Sequence, residues 1–176
     1  MSGADLSGRR AVLGVDISGV VIDNARGEGS ALFKGPNYLQ ALPTFGVFGV
    51  LGHLNSGPFA GRVHLISRER DGDIRTKTHH WLDYHQLYAK TGIPNSSARV
   101  HYCRERAEKA ALCRDLELTH YIDDHLEALG SLIGMGMRLF LFNPKIHEVA
   151  EFEHFFGKTE QIYGWSQAIG LLTHIN

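Results

Sequence analysis

The stretch LGVDISGVVID, residues 13–23, begins as an apolar strand, ends that strand with an aspartate and reaches a glycine three residues later. A short, nearly continuous apolar run bounded by a turn residue is typical of a strand buried on both faces of a sheet. Asp16 then lies at the carboxyl end of the strand, and Gly19 lets the backbone turn sharply close to a bound ligand. The stretch predicts a buried strand with a carboxylate at the edge of the sheet where ligands bind.

Apolar runs of strand length alternate with segments of helical periodicity along the rest of the chain. The predicted strands cover residues 11–17, 62–67, 98–103, 120–124 and 137–143. The predicted helices cover residues 37–54, 76–90, 106–116, 125–133 and 159–175. This alternation predicts an α/β fold in which helices cover both faces of a parallel sheet, within one domain over residues 1–176.

The composition is that of an ordinary globular domain. The 176 residues are 43% hydrophobic, enough for a full core, and the formal net charge of -1 gives no electrostatic case for binding nucleic acid or anionic membranes. Cys103 and Cys113 lack a metal-binding spacing, and we expect them to be reduced thiols. MSGADLSGRR at the start lacks the apolar stretch of a signal peptide, and no window is long enough for a membrane span. We therefore expect a cytoplasmic protein.

Polar residues fall at the carboxyl ends of three predicted strands. They are Asp16, Ser67 and the pair Asp123-Asp124. Taken singly, Asp16 and Ser67 could be turn residues, and the aspartate pair could cap the helix that follows it. Because the carboxyl ends of parallel strands meet at one edge of the sheet, the three signals together favour a shared binding crevice.

Taken in order, DISGVVID (16–23), HLIS (64–67), Lys109 and YIDD (121–124) resemble the four motifs of the haloacid dehalogenase (HAD) superfamily. The resemblance covers residues 11–143 and includes some similarity to the deoxyribonucleotidase-like branch. It implies a three-layer αβα, Rossmann-like core with a minimal cap or none. It also implies a phosphohydrolase that acts on a phosphorylated substrate.

The resemblance further implies a role for each motif residue in phosphoryl transfer. Asp16 would attack phosphorus and form an aspartyl-phosphate, while Lys109 would bring positive charge to the phosphate and to Asp16. Ser67 would offer its hydroxyl to a phosphate oxygen, and the backbone at Gly19 would approach the substrate closely. Arg68, which follows Ser67, is either a solvated loop residue or a contact for a second anionic group on the substrate.

Mg²⁺ is the cofactor that the resemblance implies. Its ligands would be the carboxylates of Asp16, Asp123 and Asp124 together with the backbone carbonyl of Ser18. Mg²⁺ is a hard cation that prefers carboxylate, water and phosphate oxygens, so this ligand set is chemically suited to it.

Ser18 departs from the family pattern, because the family's phosphatases carry an aspartate there that protonates the leaving group and activates water. A serine hydroxyl is too weak an acid for this near neutral pH, and such help is worth about 10²–10⁴ in rate. One reading is a slow phosphohydrolase that acts on good leaving groups or recruits another acid, with His79, His80, His85 and His125 as candidates. A second is a degenerate relative that binds ligands or proteins. A third is a protein with a long-lived aspartyl-phosphate.

Access to the crevice depends on two insertion points. The first, residues 24–37 with Arg26, Phe33 and Lys34, is the candidate for a mobile loop over the site. The second, after Ser67, is largely filled by a helix that the sheet needs as a crossover. A nearly capless site suits a phosphorylated small molecule such as a nucleotide or sugar phosphate, or a bulkier phosphorylated substrate. It also leaves room for a partner subunit, including a second copy of the chain.

Overall fold

Six parallel strands form the centre of the computed structural model, which describes residues 10–23, 33, 35–69 and 72–173. The strands are β1 (Leu13–Asp16), β2 (Val63–Arg68), β3 (Val100–Cys103), β4 (His120–Asp123), β5 (Arg138–Phe142) and β6 (Glu160–Ile162). They pair in the order β3-β2-β1-β4-β5-β6, and every pair is parallel. The predicted parallel α/β sheet is therefore confirmed.

Helices connect the strands and cover both faces of the sheet. They are α1 (Val47–Ser56), α2 (Gly72–Tyr84), α3 (Leu87–Thr91), α4 (Arg106–Asp115), α5 (Leu126–Gly130), α6 (Ile146–Glu151), α7 (Glu153–Phe156) and α8 (Trp165–Thr173). A short 3₁₀ helix, Tyr38–Gln40, precedes α1. No helix in these described ranges has the length and apolar character needed to cross a membrane.

Two apolar clusters, one on each face, hold the layers together. Leu13 and Val15 of β1 point into the cluster that packs against α1, α2 and α8. Ile66 of β2 and Tyr121 of β4 point into the other, which α4 and α5 cover. Consecutive residues of a strand, such as Leu65 and Ile66 of β2, thus enter different clusters, as the period of two in a strand requires. Burial on both faces explains why these strands are almost continuously apolar in sequence.

β1 lies between β2 and β4, and this position creates the crevice. Asp16 pairs with Ile66 of β2, while Val15 pairs with Ile122 of β4. The chain runs outward to β2 and β3 on one side and to β5 and β6 on the other, so the strand order reverses next to β1. In open α/β sheets, ligands bind at such a reversal, outside the carboxyl ends of the strands.

Three predicted helices differ from the structure. Residues 159–175 were expected to be one helix, but Glu160–Ile162 forms β6, because it pairs with β5 at the sheet edge and only the remainder is α8. Residues 37–54 contain the 3₁₀ helix and α1, separated at Pro43, which bridges to Ile22. The helix expected over 76–90 begins at residue 72 and is interrupted at Gln86, whose φ of 58° is incompatible with a continuous helix.

The two insertion points are covered unequally by the described residues. Most of the segment 24–37 lies outside them, including Arg26 and Lys34, while Phe33 is buried in the core. Between β2 and β3, the described residues form α2, α3 and the short connections around them. The second insertion is thus a crossover of the kind the sequence predicted.

Candidate active site

Three buried carboxylates meet at the carboxyl end of the sheet. Asp16 ends β1, Asp123 ends β4, and Asp124 is the next residue along the chain. One carboxylate oxygen from each lies within 4.8 Å of the others. The register of β1 and β4 produces this cluster, since it brings the ends of the two central strands side by side. The sequence predicted that these residues share one crevice, and the structure brings them together.

Lys109 lies inside this cluster and bridges two of its members. Its Nζ is 2.6 Å from Asp16 Oδ1 and 2.7 Å from Asp123 Oδ2, and its side chain is 5% exposed. α4 carries Lys109 inward and begins with a capping box between Glu105 and Glu108. Burial alone would lower the pKa of Lys109, but Asp123 and Asp16 outweigh burial and raise it well above its usual range. The ammonium group is therefore a fixed positive charge beside the expected nucleophile.

The negative charges are not fully balanced by Lys109. Burial raises the pKa of Asp16 to about 8 against the attraction of Lys109, and the charges of Asp123 and Asp124 add to the rise. Burial likewise raises the pKa of Asp124, whose Oδ1 is buried and has no hydrogen-bond partner among the described residues. A cluster of oxygen donors with an unsatisfied carboxylate oxygen fits a hard divalent cation such as Mg²⁺.

A second lysine, which the sequence reasoning missed, also contacts the cluster. Lys145 precedes α6, and its Nζ lies 2.7 Å from Asp124 Oδ2. The sequence offered only a weak signal, a lysine three residues after the end of β5 in the run Asn143-Pro144-Lys145. Because β5 neighbours β4, a residue just beyond the end of β5 can reach the end of β4.

His125 and Glu148 form a pair beside Asp124. His125 Nδ1 is 3.2 Å from Glu148 Oε1, and His125 Nε2 is 3.8 Å from Asp124 Oδ1. The hydrogen bond with Glu148 raises the pKa of His125. Burial alone would raise the pKa of Glu148, but the interaction with His125 lowers it. The backbone N–H of His125 donates to Asp123 Oδ1 at 2.9 Å, so this residue also fixes the Asp123 carboxylate.

The turn after Asp16 brings the backbone against the carboxylates. Gly19 has a φ of 88°, and a Cβ added there would lie within 2.9 Å of all three atoms of the Asp124 carboxyl group. Only glycine combines this φ with such close packing. Ser18 is exposed at the same turn. Trp165 of α8 stabilises the turn, because its Nε1–H donates to the carbonyl of Val20 at 3.0 Å.

Ser67 and Arg68 lie at the end of β2, on the same edge of the sheet. The Ser67 side chain is buried, and its hydroxyl donates to Glu69 Oε1 at 2.9 Å. Glu69 was not foreseen as its partner. Arg68 is exposed. The structure therefore puts Ser67 and Arg68 at the crevice edge, and the described contacts do not join them to the carboxylate cluster.

Of the four histidines considered as alternative acids, His125 is the one for which a contact with the cluster is described. His80 Nδ1 is 3.1 Å from the hydroxyl of Tyr38, and His85 Nε2 is 3.1 Å from the carbonyl of Leu39. His79 packs beside the ring of Tyr102. These three belong to the α2 side of the molecule, where their contacts are structural.

The sequence by itself does not identify relatives, since no protein-family model matches the chain and no curated protein matches significantly. Solved structures do match. The D,D-heptose 1,7-bisphosphate phosphatase of B. bronchiseptica, solved with magnesium and phosphate, superposes with a TM-score of 0.66 at 14% identity, over 92% of this chain and 97% of that one. The D,D-heptose 1,7-bisphosphate phosphatase of Burkholderia thailandensis gives 0.58 at 12% identity, over 94% and 99%.

A third match is a protein of Burkholderia xenovorans LB400 described as a haloacid dehalogenase-like hydrolase, with a TM-score of 0.50 at 14% identity. The alignment covers 84% of this chain and 64% of that one. At these identities the likeness shows the fold alone. The chain shares the αβα, Rossmann-like fold of these matched structures, as the motif order predicted.

Proposed function

We propose that this protein is a Mg²⁺-dependent phosphohydrolase of the HAD type that acts on a phosphorylated substrate through an aspartyl-phosphate at Asp16. One observation carries the proposal: Lys109 bridges Asp16 and Asp123, with the Asp124 carboxylate in the same cluster. A nucleophile, a fixed positive charge and a set of metal-binding oxygens are thus combined at the strand ends. Phosphoryl transfer requires these components, because positioning and charge stabilisation account for most of its catalysis.

In the proposed mechanism, a carboxylate oxygen of Asp16 attacks the phosphorus atom of the substrate. The bond from phosphorus to the leaving oxygen breaks, and an acyl phosphate forms on Asp16. Lys109 holds Asp16 in place and stabilises the negative charge of the transferring group. Water then attacks the phosphorus, and Asp16 is released with inorganic phosphate.

Mg²⁺ would be held by Asp16, Asp123 and Asp124 and by the backbone carbonyl of Ser18, and when bound it would neutralise charge on the phosphate oxygens. Gly19 leaves space beside Asp124, since any side chain there would overlap the carboxylate. His125 donates its backbone N–H to Asp123 and so keeps that ligand oriented. The space beside Gly19 and the hydrogen bond from His125 are both present before any metal ion binds.

Ser18 makes hydrolysis slow in this proposal. The residue lies exposed at the turn, where the family's phosphatases carry the aspartate that moves protons. Its hydroxyl can neither protonate a poor leaving group nor activate water at neutral pH, which costs about 10²–10⁴ in rate. Substrates whose leaving group departs without a proton are therefore preferred.

A phosphorylated small molecule is the proposed substrate. Two of the matched structures are phosphatases of a heptose bisphosphate, which favours a sugar phosphate over a nucleotide. Arg68 is exposed at the edge of the crevice and is available for a second anionic group. A bulkier phosphorylated substrate is the alternative within this proposal.

The second candidate is a catalytically degenerate relative that binds a ligand or another protein. The combination of Ser18 with Lys145 on Asp124 favours it, because one removes the acid and the other supplies a positive charge where the metal would bind. Such a protein would bind phosphate or a phosphorylated ligand in the crevice without releasing product.

The deciding experiment measures phosphate release with and without Mg²⁺ from an activated aryl phosphate and from a panel of sugar phosphates and nucleotides. Wild type and the Asp16→Asn variant, purified in parallel, are compared. Mg²⁺-dependent release by wild type that the variant lacks supports the hydrolase. Equal release by both would point to a contaminant and overturn it. Binding of a panel member without release would favour the degenerate relative.

A further inference from the structure

We infer that Lys145 is an internal cation that competes with Mg²⁺ at Asp124 and so sets the metal concentration that the site requires. The inference rests on the proposed metal site and goes beyond it, because it assigns a role to a residue outside the four motifs. It concerns metal affinity, which can be measured without any turnover.

The contact with Lys145 gives the two oxygens of the Asp124 carboxylate different surroundings. Oδ2 accepts from the Lys145 ammonium group at 2.7 Å, while Oδ1 is buried without a hydrogen-bond partner among the described residues. The Asp124 side chain is 3% exposed, so water satisfies little of it. A metal ion at this carboxylate would either take the place of the ammonium group at Oδ2 or bind Oδ1 directly beside it. In both arrangements Lys145 opposes the metal.

The two lysines of the site differ in their freedom to leave it. Lys109 contacts two carboxylates and its side chain is 5% exposed, so removing it would bury unpaired charge. The described ion pair of Lys145 is with Asp124 alone, and its side chain is 35% exposed. The Lys145 ammonium group can therefore move into water at small cost when a metal ion arrives. Lys109 is a permanent part of the site, and Lys145 is an exchangeable one.

The charges of the cluster give the direction of the effect. Three carboxyl groups face two ammonium groups, so the acidic groups outnumber the lysines where a divalent ion would bind. His125 lies 3.2 Å from Glu148 Oε1, and these two residues form a pair of their own beside the cluster. Removing the Lys145 charge makes the site more negative, and a dication then binds more tightly because the repulsion at close range is gone.

The test is a calorimetric titration of the full chain with Mg²⁺ alone. Wild type is compared with Lys145→Met, which keeps the length of the side chain without its charge, and with Lys145→Arg, which keeps the charge. Lys158→Met is the matched control, since Lys158 is an exposed lysine just before β6, at the opposite end of the sheet. We expect Lys145→Met to lower the Kd for Mg²⁺ about tenfold. Lys145→Arg and Lys158→Met should bind as wild type does.

An unchanged or raised Kd in Lys145→Met would overturn the inference and leave the proposed function standing, provided that wild type binds Mg²⁺ and Asp123→Asn does not. Binding by Lys145→Met alone, with silent wild type, would support the inference in its strongest form. If neither protein binds Mg²⁺, the metal site itself is wrong, and both the inference and the proposed function fall. A thermal melt of each variant excludes loss of folding as the cause.

Discussion

Gly19 and Asp124 are packed so closely that the missing side chain of one makes room for the carboxylate of the other. A Cβ at Gly19 would lie within 2.9 Å of every atom of the Asp124 carboxyl group. Gly19 also has a φ of 88°, which residues with a side chain rarely adopt. The glycine of the first motif is therefore required twice, once by the turn and once by the candidate metal ligand.

The substitution Gly19→Ala separates these two requirements when it is compared with Gly134→Ala. Gly134 has a φ of 87°, but no atom lies within 4 Å of the position of its Cβ. Gly134→Ala should lose about 1–2 kcal/mol of unfolding free energy, because it places alanine in the left-handed region. Gly19→Ala should lose more, because its Cβ also overlaps the Asp124 carboxyl group. Only Gly19→Ala should also lose Mg²⁺ binding. Denaturant unfolding and calorimetry give the two quantities, and equal Mg²⁺ binding by both variants would contradict the packing argument.

Asp16→Asn should abolish phosphate release while leaving the fold at least as stable as wild type. The amide is a poor nucleophile, but it replaces a carboxyl group whose ionisation is opposed by burial and by the charges of Asp123 and Asp124, and Lys109 keeps its contact with Asp123. Urea unfolding at neutral pH measures the effect on stability. A loss of more than about 2 kcal/mol would mean that the Lys109–Asp16 pair stabilises the fold more than the repulsion opposes it.

Ser18→Asp should raise Mg²⁺-dependent phosphate release by about 10²-fold, because it restores a general acid–base group at the turn. Ser18→Asn is the control, since the asparagine side chain has nearly the same shape as that of aspartate but cannot act as a general acid or base. The gain should be largest for substrates with poor leaving groups. Similar rates for the two variants would show that proton transfer at this position is not what limits turnover.

Lys109→Met should destabilise the fold by about 3–5 kcal/mol, because it leaves Asp16 and Asp123 buried without their shared counter-charge. Lys158→Met, at an exposed lysine, should change the unfolding free energy by less than about 0.5 kcal/mol. In the double variant Asp16→Asn/Lys109→Met, part of the loss should be recovered. A double variant no more stable than Lys109→Met would argue against charge repulsion as the cause.

His64 should make the fold less stable as the pH falls from about 6.5 to about 4. Burial, helped by the charges of Arg99 and His101, lowers the pKa of His64 from 6.5 to about 4 in the folded protein. Arg99 Nη1 donates to His64 Nε2 at 3.0 Å, which leaves His64 Nδ1 to donate to His101 Nε2. The unfolded chain therefore binds a proton at a higher pH than the folded one does, and each step down in pH favours unfolding until both forms are protonated.

Urea unfolding at a series of pH values tests this dependence in wild type and in His64→Gln. The stability of the variant should fall less steeply between pH 6.5 and 4, since one group with a lowered pKa has been removed. His53→Gln, at an exposed histidine of α1, should retain the wild-type slope. Parallel slopes for all three proteins would show that His64 titrates normally.

The parts of the site that lie at strand ends could be predicted from the sequence, because buried strands are continuous apolar runs and the polar residue that ends each run is visible. Asp16 and Asp123 are of this kind. Lys109 sits on a helix with no local signal, so its role needed the resemblance to a known family. The contact of Lys145 with Asp124 depends on the neighbouring positions of β4 and β5, which only the folded sheet provides.

Local pattern also failed where a segment is defined by its partner rather than by its own residues. β6 is three residues long, and its pairing with β5 decides its conformation against the helical periodicity of residues 159–175. Tertiary pairing overrides propensity most easily in such short segments. The hydroxyl of Ser67 is a further case, because its donation to Glu69 depends on the conformation of the chain beyond β2.

The hydrogen bond from Trp165 to Val20 has a consequence for how the protein matures during synthesis. β1 and the turn after it leave the ribosome before β4, which ends at the first of the two neighbouring aspartates about a hundred residues later. The indole that braces the turn comes later still. A nascent chain halted before residue 165 would therefore display the first motif without its support. The crevice therefore cannot be fully braced until residue 165 has been synthesised, and a shorter chain would present exposed apolar strands to chaperones before it could bind any ligand.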